Sequence, residues 1–122
     1  MNKSIREAVY KKYDGHCAYC GNYIEYKDMQ VDHLVPKRQK HIYKFYNNKS
    51  IDSFDNLMPS CRSCNHYKRG HLIDTHRRLL MTIQSRLMDI YIFKVAINYG
   101  IVEIKPFNGI FYFESEKALE GK

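Results

Sequence analysis

The chain has 122 residues, a formal net charge of +7 and 44% hydrophobic content. That length fits one small domain whose modest core commonly needs a staple, and no run approaches the ~18 apolar residues of a membrane-spanning helix. Residues 1–78 hold 15 of the 20 Lys/Arg but 8 of the 13 Asp/Glu. The basic excess therefore sits with the cysteines and histidines and suggests a polyanionic partner, nucleic acid first, with plain solubility as the simpler alternative.

The polar start, Met1-Asn2-Lys3-Ser4-Ile5-Arg6-Glu7, carries no apolar run of signal-peptide length. In a reducing cytosol four cysteines in two CxxC pairs read as a zinc site rather than two disulfides. Ser4 is expected to cap a helix from Ile5 to Tyr13 that turns Ile5, Val9 and Tyr13 to one face and stops at Asp14-Gly15. The first knuckle, Cys17-Ala18-Tyr19-Cys20-Gly21, follows, with His16 beside it as a loop histidine rather than a fifth ligand. Tyr23–Lys27 reads as a short strand or turn, and Met29–Val35 as a strand ended by Pro36. Asp32 and His33 are neighbours on that strand, so only a bend or bulge would turn both to one face.

The segment 37–55 is polar and interleaves Lys37, Arg38, Lys40, Lys44 and Lys49 with Tyr43, Phe45 and Tyr46. This pattern suits a phosphate-tracking, base-stacking surface, and equally a solvated loop whose aromatics pack inward. Asn56 precedes Leu57-Met58-Pro59. Ser60 is expected to open a helix over Arg62–Arg69, with Gly70 at its end and the second knuckle, Cys61-Arg62-Ser63-Cys64, at its start. A long helix is expected from Thr75 to Asn98, with Leu80, Ile83, Leu87 and Ile90 as a packing stripe and Gly100 as its stop. A hairpin is expected across Asn108-Gly109, pairing Ile101–Phe107 with Ile110–Phe113, and the polar end from Glu114 is expected to fray.

Cys17, Cys20, Cys61 and Cys64 supply four thiolates, enough to close one tetrahedral zinc site with no position left for water, so this zinc is structural. The 40 residues between the knuckles are more than a zinc ribbon needs and leave room for a functional insert. Within that insert, a neutral imidazole (His33) is a base near pH 7. A carboxylate (Asp32) and an amide carbonyl (Asn65) are hard oxygen ligands suited to Mg²⁺ or Mn²⁺. An Asp-His pair alone is weak; its place between two knuckles, with Asn65 directly after the last cysteine, strengthens it.

Taken together, Cys17-Ala18-Tyr19-Cys20-Gly21, Val31-Asp32-His33-Leu34-Val35-Pro36, Asp55-Asn56-Leu57 and Cys61-Arg62-Ser63-Cys64-Asn65-His66-Tyr67-Lys68 resemble the HNH endonucleases over roughly residues 5–70. The resemblance implies an α+β fold: a ββα-metal core stapled by a four-cysteine zinc site, here followed by the C-terminal helix and hairpin. It implies one domain over 1–122, with a core of about 5–70 and an extension of about 74–113. By the same resemblance His33 is the general base, and Asn56 holds the loop and the base in place. Asp32 and Asn65 are ligands of a catalytic divalent cation, an H-N-N variant whose oxygen ligands favour Mg²⁺ or Mn²⁺ over softer metals. Lys37, Arg38, Lys40, Lys68 and Arg69 are candidate DNA contacts, and His66, one helical step from Asn65, cannot take its place. The extension loosely resembles those of phage and prophage members, so a bacterial or phage-infected cytoplasm is the expected setting. The implied function is metal-dependent DNA cleavage or nicking. A non-catalytic zinc-stabilised DNA-binding module is the alternative, and a protein-interaction zinc module is disfavoured by the charge.

Overall fold

The computed structural model describes residues 1–39, 45–46 and 49–120. The chain forms two compact units, one of residues 1–73 with 110–122 and the other of residues 74–109. Among the described residues every apolar side chain that is fully buried lies in the first unit.

The first unit opens with α1 (Lys3–Lys11). Asn2, not Ser4, is its N-cap: the Asn2 amide oxygen accepts from the Ser4 N–H at 2.7 Å and the Ile5 N–H at 3.4 Å. Val9 is buried and Tyr13 nearly so, whereas Ile5 stays exposed because it lies on the first turn, past the edge of the core. Asp14 (φ 52°) and Gly15 (φ 82°) end the helix in left-handed backbone. A 3-10 turn at Tyr26–Asp28 leads into β1 (Gln30–His33).

β2 (Phe45–Tyr46) pairs antiparallel with β3 (Lys49–Ser50) within the segment read as either a base-stacking surface or a solvated loop. A 3-10 turn at Phe54–Asn56 leads to β4 (Leu57–Ser60), which is buried throughout and pairs antiparallel with β1. The register sets Gln30 opposite Ser60, Val31 opposite Pro59, Asp32 opposite Met58 and His33 opposite Leu57. Then comes α2 (Arg62–Lys68), packed against β1. Thus β1, β4 and α2 form the ββα core. Cys61 rather than Ser60 caps α2, its sulfur accepting from the Cys64 N–H at 3.4 Å, while the Ser60 hydroxyl turns to the Cys61 carbonyl. Lys12, just past α1, ties the turn before β4 to the helix by donating to the carbonyls of Phe54, Asp55 and Leu57 at 3.2, 3.1 and 2.8 Å.

In the second unit the expected single helix is three: α3 (Ile73–Met81), α4 (Ile83–Met88) and α5 (Tyr91–Asn98). The Thr82 hydroxyl bonds to the Leu79 carbonyl at 2.7 Å, competing with the helical ladder. Ile90 adopts extended backbone (φ −93°, ψ 118°). The 80/83/87/90 stripe therefore does not run along one helix, and Ile90 is exposed. Gly100 (φ 72°) stops α5 as expected.

The expected hairpin across Asn108-Gly109 does not form. The backbone that would pair is used elsewhere: the N–H groups of Tyr112 and Phe113 donate to the carbonyls of Tyr19 and Ala18 at 3.1 and 2.8 Å. Phe111 is buried edge-on against Tyr19, with ring centroids 5.8 Å apart. The C-terminal stretch is thereby laid on the first knuckle, and α6 (Glu116–Glu120) follows with Ala118 buried.

Candidate active site and zinc site

The four cysteine sulfurs lie within 4.8 Å of one another, with Cys20 Sγ and Cys61 Sγ 3.9 Å apart. Four Zn–S bonds of about 2.3 Å in a tetrahedron set the sulfurs about 3.8 Å apart, so the cluster fits a zinc ion with small adjustments. Backbone positions it. The Ala18 N–H donates to the Pro59 carbonyl at 2.8 Å, docking the first knuckle on β4, and the Cys61 N–H points at Cys17 Sγ at 3.4 Å. Hydrogen bonds from Cys20 and Cys64 hold the Cys17 thiol far below its usual pKa. The same bonds to Cys17 push Cys20 up to about 11 and Cys64 higher still. The cluster by itself thus favours one thiolate; a zinc ion supplies the charge that stabilises the others. His16 is no fifth ligand: its Nδ1 meets the Gly21 carbonyl at 2.7 Å and its ring lies between Tyr23 and Tyr112. Gly21 (φ 82°) is required there, because a Cβ would fall 2.7 Å from the Tyr112 ring.

Asp32 and His33 occupy the last two positions of β1, and the unbroken register shows no bulge between them. Asp32 meets Tyr19 of the knuckle and Lys68 of α2; His33 meets Asp52 instead. The Tyr19 hydroxyl donates to Asp32 Oδ2 at 2.5 Å, and Lys68 Nζ lies 3.0 Å from the same oxygen. Lys68 is completely buried and also donates to the His33 carbonyl at 3.1 Å. It is therefore not an exposed phosphate contact; burial of its whole stem turns the ammonium inward onto Asp32. Burial, aided by the Asp32 charge, keeps the Tyr19 phenol protonated and so a donor.

His33 Nε2 is 3.8 Å from Asp52 Oδ1, within ion-pair range but beyond a hydrogen bond. Burial first, and then the Lys37 charge, lower the imidazole pKa from its ordinary value; Asp52 and Asp32 oppose the shift. The ring is neutral at pH 7, the form that accepts a proton.

Asn56 is fully buried. Its Oδ1 accepts from the Val35 N–H at 2.9 Å, and its Nδ2 donates to the carbonyls of Val35 at 3.0 Å and Ile51 at 2.7 Å. The Asn56 carbonyl accepts from the Leu34 N–H at 2.9 Å. Asn65 stands half-buried on α2, three residues before Lys68 and so on the same side of the helix. Its side chain makes no hydrogen bond among the described residues.

Of the remaining candidate DNA contacts, Lys37, Arg38 and Arg69 are exposed. Arg38 Nε also donates to the Gly70 carbonyl at 2.9 Å, and Arg69 takes a left-handed φ of 52° as it leaves α2. Lys40 lies outside the described residues. Sequence reasoning misses Tyr19, Asp52 and Lys12. Tyr19 reads only as a spacer in CxxC, and nothing in the spacing links it to Asp32. No described helix is long and apolar enough to cross a membrane.

Residues 17–70 match a family model described as HNH endonuclease. No curated protein matches the chain. The matched stretch begins at the first zinc-knuckle cysteine, contains β1, Asn56 and the second knuckle, and ends just beyond α2. Over these residues, which hold β1, β4 and α2, the chain is similar to the HNH endonucleases.

Proposed function

We propose that the protein is a metal-dependent DNA endonuclease or nickase that hydrolyses phosphodiester bonds. In this reading His33 is the general base, Asn56 the residue that positions it, and Asp32 with Asn65 the ligands of a divalent cation, Mg²⁺ or Mn²⁺. The observation that carries it is the way three consecutive residues are held around a neutral imidazole. Lys68 grips the His33 carbonyl, the Asn56 carbonyl grips the Leu34 N–H, and the Asn56 side chain grips both backbone groups of Val35. A histidine needed only for packing requires no such backbone anchoring; a base that must meet a water in register does.

His33 Nε2 or Nδ1 takes a proton from water, the oxygen attacks phosphorus, and the bond from phosphorus to the leaving oxygen breaks. A divalent cation, when bound, supplies charge neutralisation at the leaving oxygen. Asp32 offers a carboxylate and Asn65 an uncommitted amide oxygen, a donor set of hard oxygens that fits such a cation. The exposed cations Lys37, Arg38 and Arg69 are the proposed phosphate contacts, with Lys40 alongside them in sequence.

The test is nicking of supercoiled plasmid with Mg²⁺, Mn²⁺ or EDTA. Cleavage is expected with either metal and not with EDTA. His33→Ala is expected to lose roughly 10²–10⁴-fold in rate at any metal concentration, since metal cannot replace a base. Asn65→Ala is expected to recover as the metal is raised. Wild-type rates in a nuclease-free His33→Ala preparation would remove the base assignment. If wild type bound DNA but cut none under any divalent metal, the zinc-stabilised binding module would be the better reading.

A further inference from the structure

We infer that Tyr19 and Lys68 are positioning residues for the divalent-cation site, a two-donor clamp through which the zinc knuckles orient Asp32. The inference rests on the reading of Asp32 as a cation ligand. Both donors land on one oxygen: the Tyr19 hydroxyl at 2.5 Å and the Lys68 ammonium at 3.0 Å from Asp32 Oδ2. A carboxylate with one oxygen pinned from two directions cannot rotate, so Oδ1 is the oxygen left to offer to a cation.

The origin of the two donors gives the clamp its meaning. Tyr19 lies between Cys17 and Cys20, so the first knuckle fixes its backbone. Its ring is 3% exposed and packs edge-on against Phe111 and Phe113, which lock its direction. Lys68 is one helical turn beyond Cys64 on α2, a helix whose first turn is built on the second knuckle. It is 0% exposed and passes over the Tyr19 ring, with Nζ 5.9 Å from the ring centroid. A buried ammonium persists only where it is fully paired, and here its partners are Asp32 Oδ2 and the His33 carbonyl. The carboxylate is thus gripped once from each zinc knuckle. Groups of this kind, bonded to a ligand rather than to the metal, commonly alter metal affinity or activity by about 10–100-fold when removed.

The experiment measures Mn²⁺ binding to the zinc-loaded full chain, from loss of the free Mn²⁺ electron-spin-resonance signal, with zinc content and thermal unfolding read in parallel. Wild type is expected to bind Mn²⁺ and Asp32→Asn to lose it. Tyr19→Phe removes one oxygen and no packing surface. It is expected to weaken Mn²⁺ binding about tenfold or more with zinc content unchanged. A general loosening of the fold would instead lower the thermal unfolding midpoint and the zinc content together with Mn²⁺ binding, whereas loss of the clamp alone lowers Mn²⁺ binding with zinc retained. If Tyr19→Phe lost its zinc, Lys68→Met would decide. Removal of a nearby positive charge by itself tightens cation binding, so weaker binding in Lys68→Met reports lost positioning and tighter binding overturns the clamp. Wild-type Mn²⁺ affinity in zinc-loaded Tyr19→Phe, with Asp32→Asn inactive in binding, would overturn the clamp and leave the Asp32 reading intact. Wild-type affinity in Asp32→Asn would remove that reading and the clamp with it.

Discussion

Asn56 and Val35 form a closed, two-way pair: the asparagine Oδ1 accepts from the Val35 N–H at 2.9 Å while its Nδ2 donates to the Val35 carbonyl at 3.0 Å. The pair spans 21 residues of sequence and locks the backbone two residues beyond His33. Asn56→Ala would leave three backbone groups, the buried Ile51 carbonyl and the part-buried N–H and carbonyl of Val35, without their partner. The expected cost is roughly 2–4 kcal/mol of folding stability, read as a lower urea midpoint. Asn56→Asp keeps the acceptor but loses both donated bonds and buries a charge, so it is expected to be at least as damaging. An unchanged midpoint in both would show that the pair contributes nothing to the fold.

Cleavage should depend on pH through His33. Its folded pKa lies below the ordinary 6.5, and in the proposed mechanism the neutral form acts as the base. Activity is therefore expected to rise with pH along a limb centred below 6.5. Lys37→Gln removes a charge that disfavours protonation, so the limb should move to higher pH. Asp52→Asn removes one that favours it, so the limb should move to lower pH. Shifts in the same direction for both variants would rule out this electrostatic account.

Zinc should be present at about one ion per chain, because four thiolates close one site. Cys61→Ser or Cys64→Ser should lose the metal and unfold the first unit, since its buried core is tied to both knuckles. Zinc assay by a colorimetric chelator, alongside circular dichroism, checks both. A folded, reduced, zinc-free chain would contradict the assignment.

DNA affinity should fall steeply with salt as cations release counterions from phosphate. Lys37→Ala and Arg69→Ala, both at exposed positions, should each lower the log–log salt slope by about one. Lys68→Met should leave the slope unchanged, because that ammonium is buried on Asp32. Fluorescence anisotropy over a salt series separates these outcomes, and a lowered slope in Lys68→Met would put that side chain on the DNA.

The spacing of four cysteines, an Asp-His pair between them and an asparagine on either side of the second knuckle were legible without coordinates, and with them the ββα core and the zinc site. Those features are local or depend on chemistry that few residue types supply. The breaks at Thr82 and Ile90 were less visible, because a period of hydrophobicity does not register a hydroxyl competing for a carbonyl. The absent hairpin had a strong local turn signal in Asn108-Gly109, yet backbone partners at Ala18 and Tyr19 and a buried place for Phe111 took Ile110–Phe113 away from it. Lys68 looked like a surface cation until the fold buried it against a carboxylate 36 positions earlier. Sequence by itself determined which chemical groups are present and which local elements carry them. Only the tertiary structure decided which of those groups share one oxygen, because Tyr19, Asp32 and Lys68 meet through packing between a knuckle, a strand and a helix that no spacing along the chain encodes.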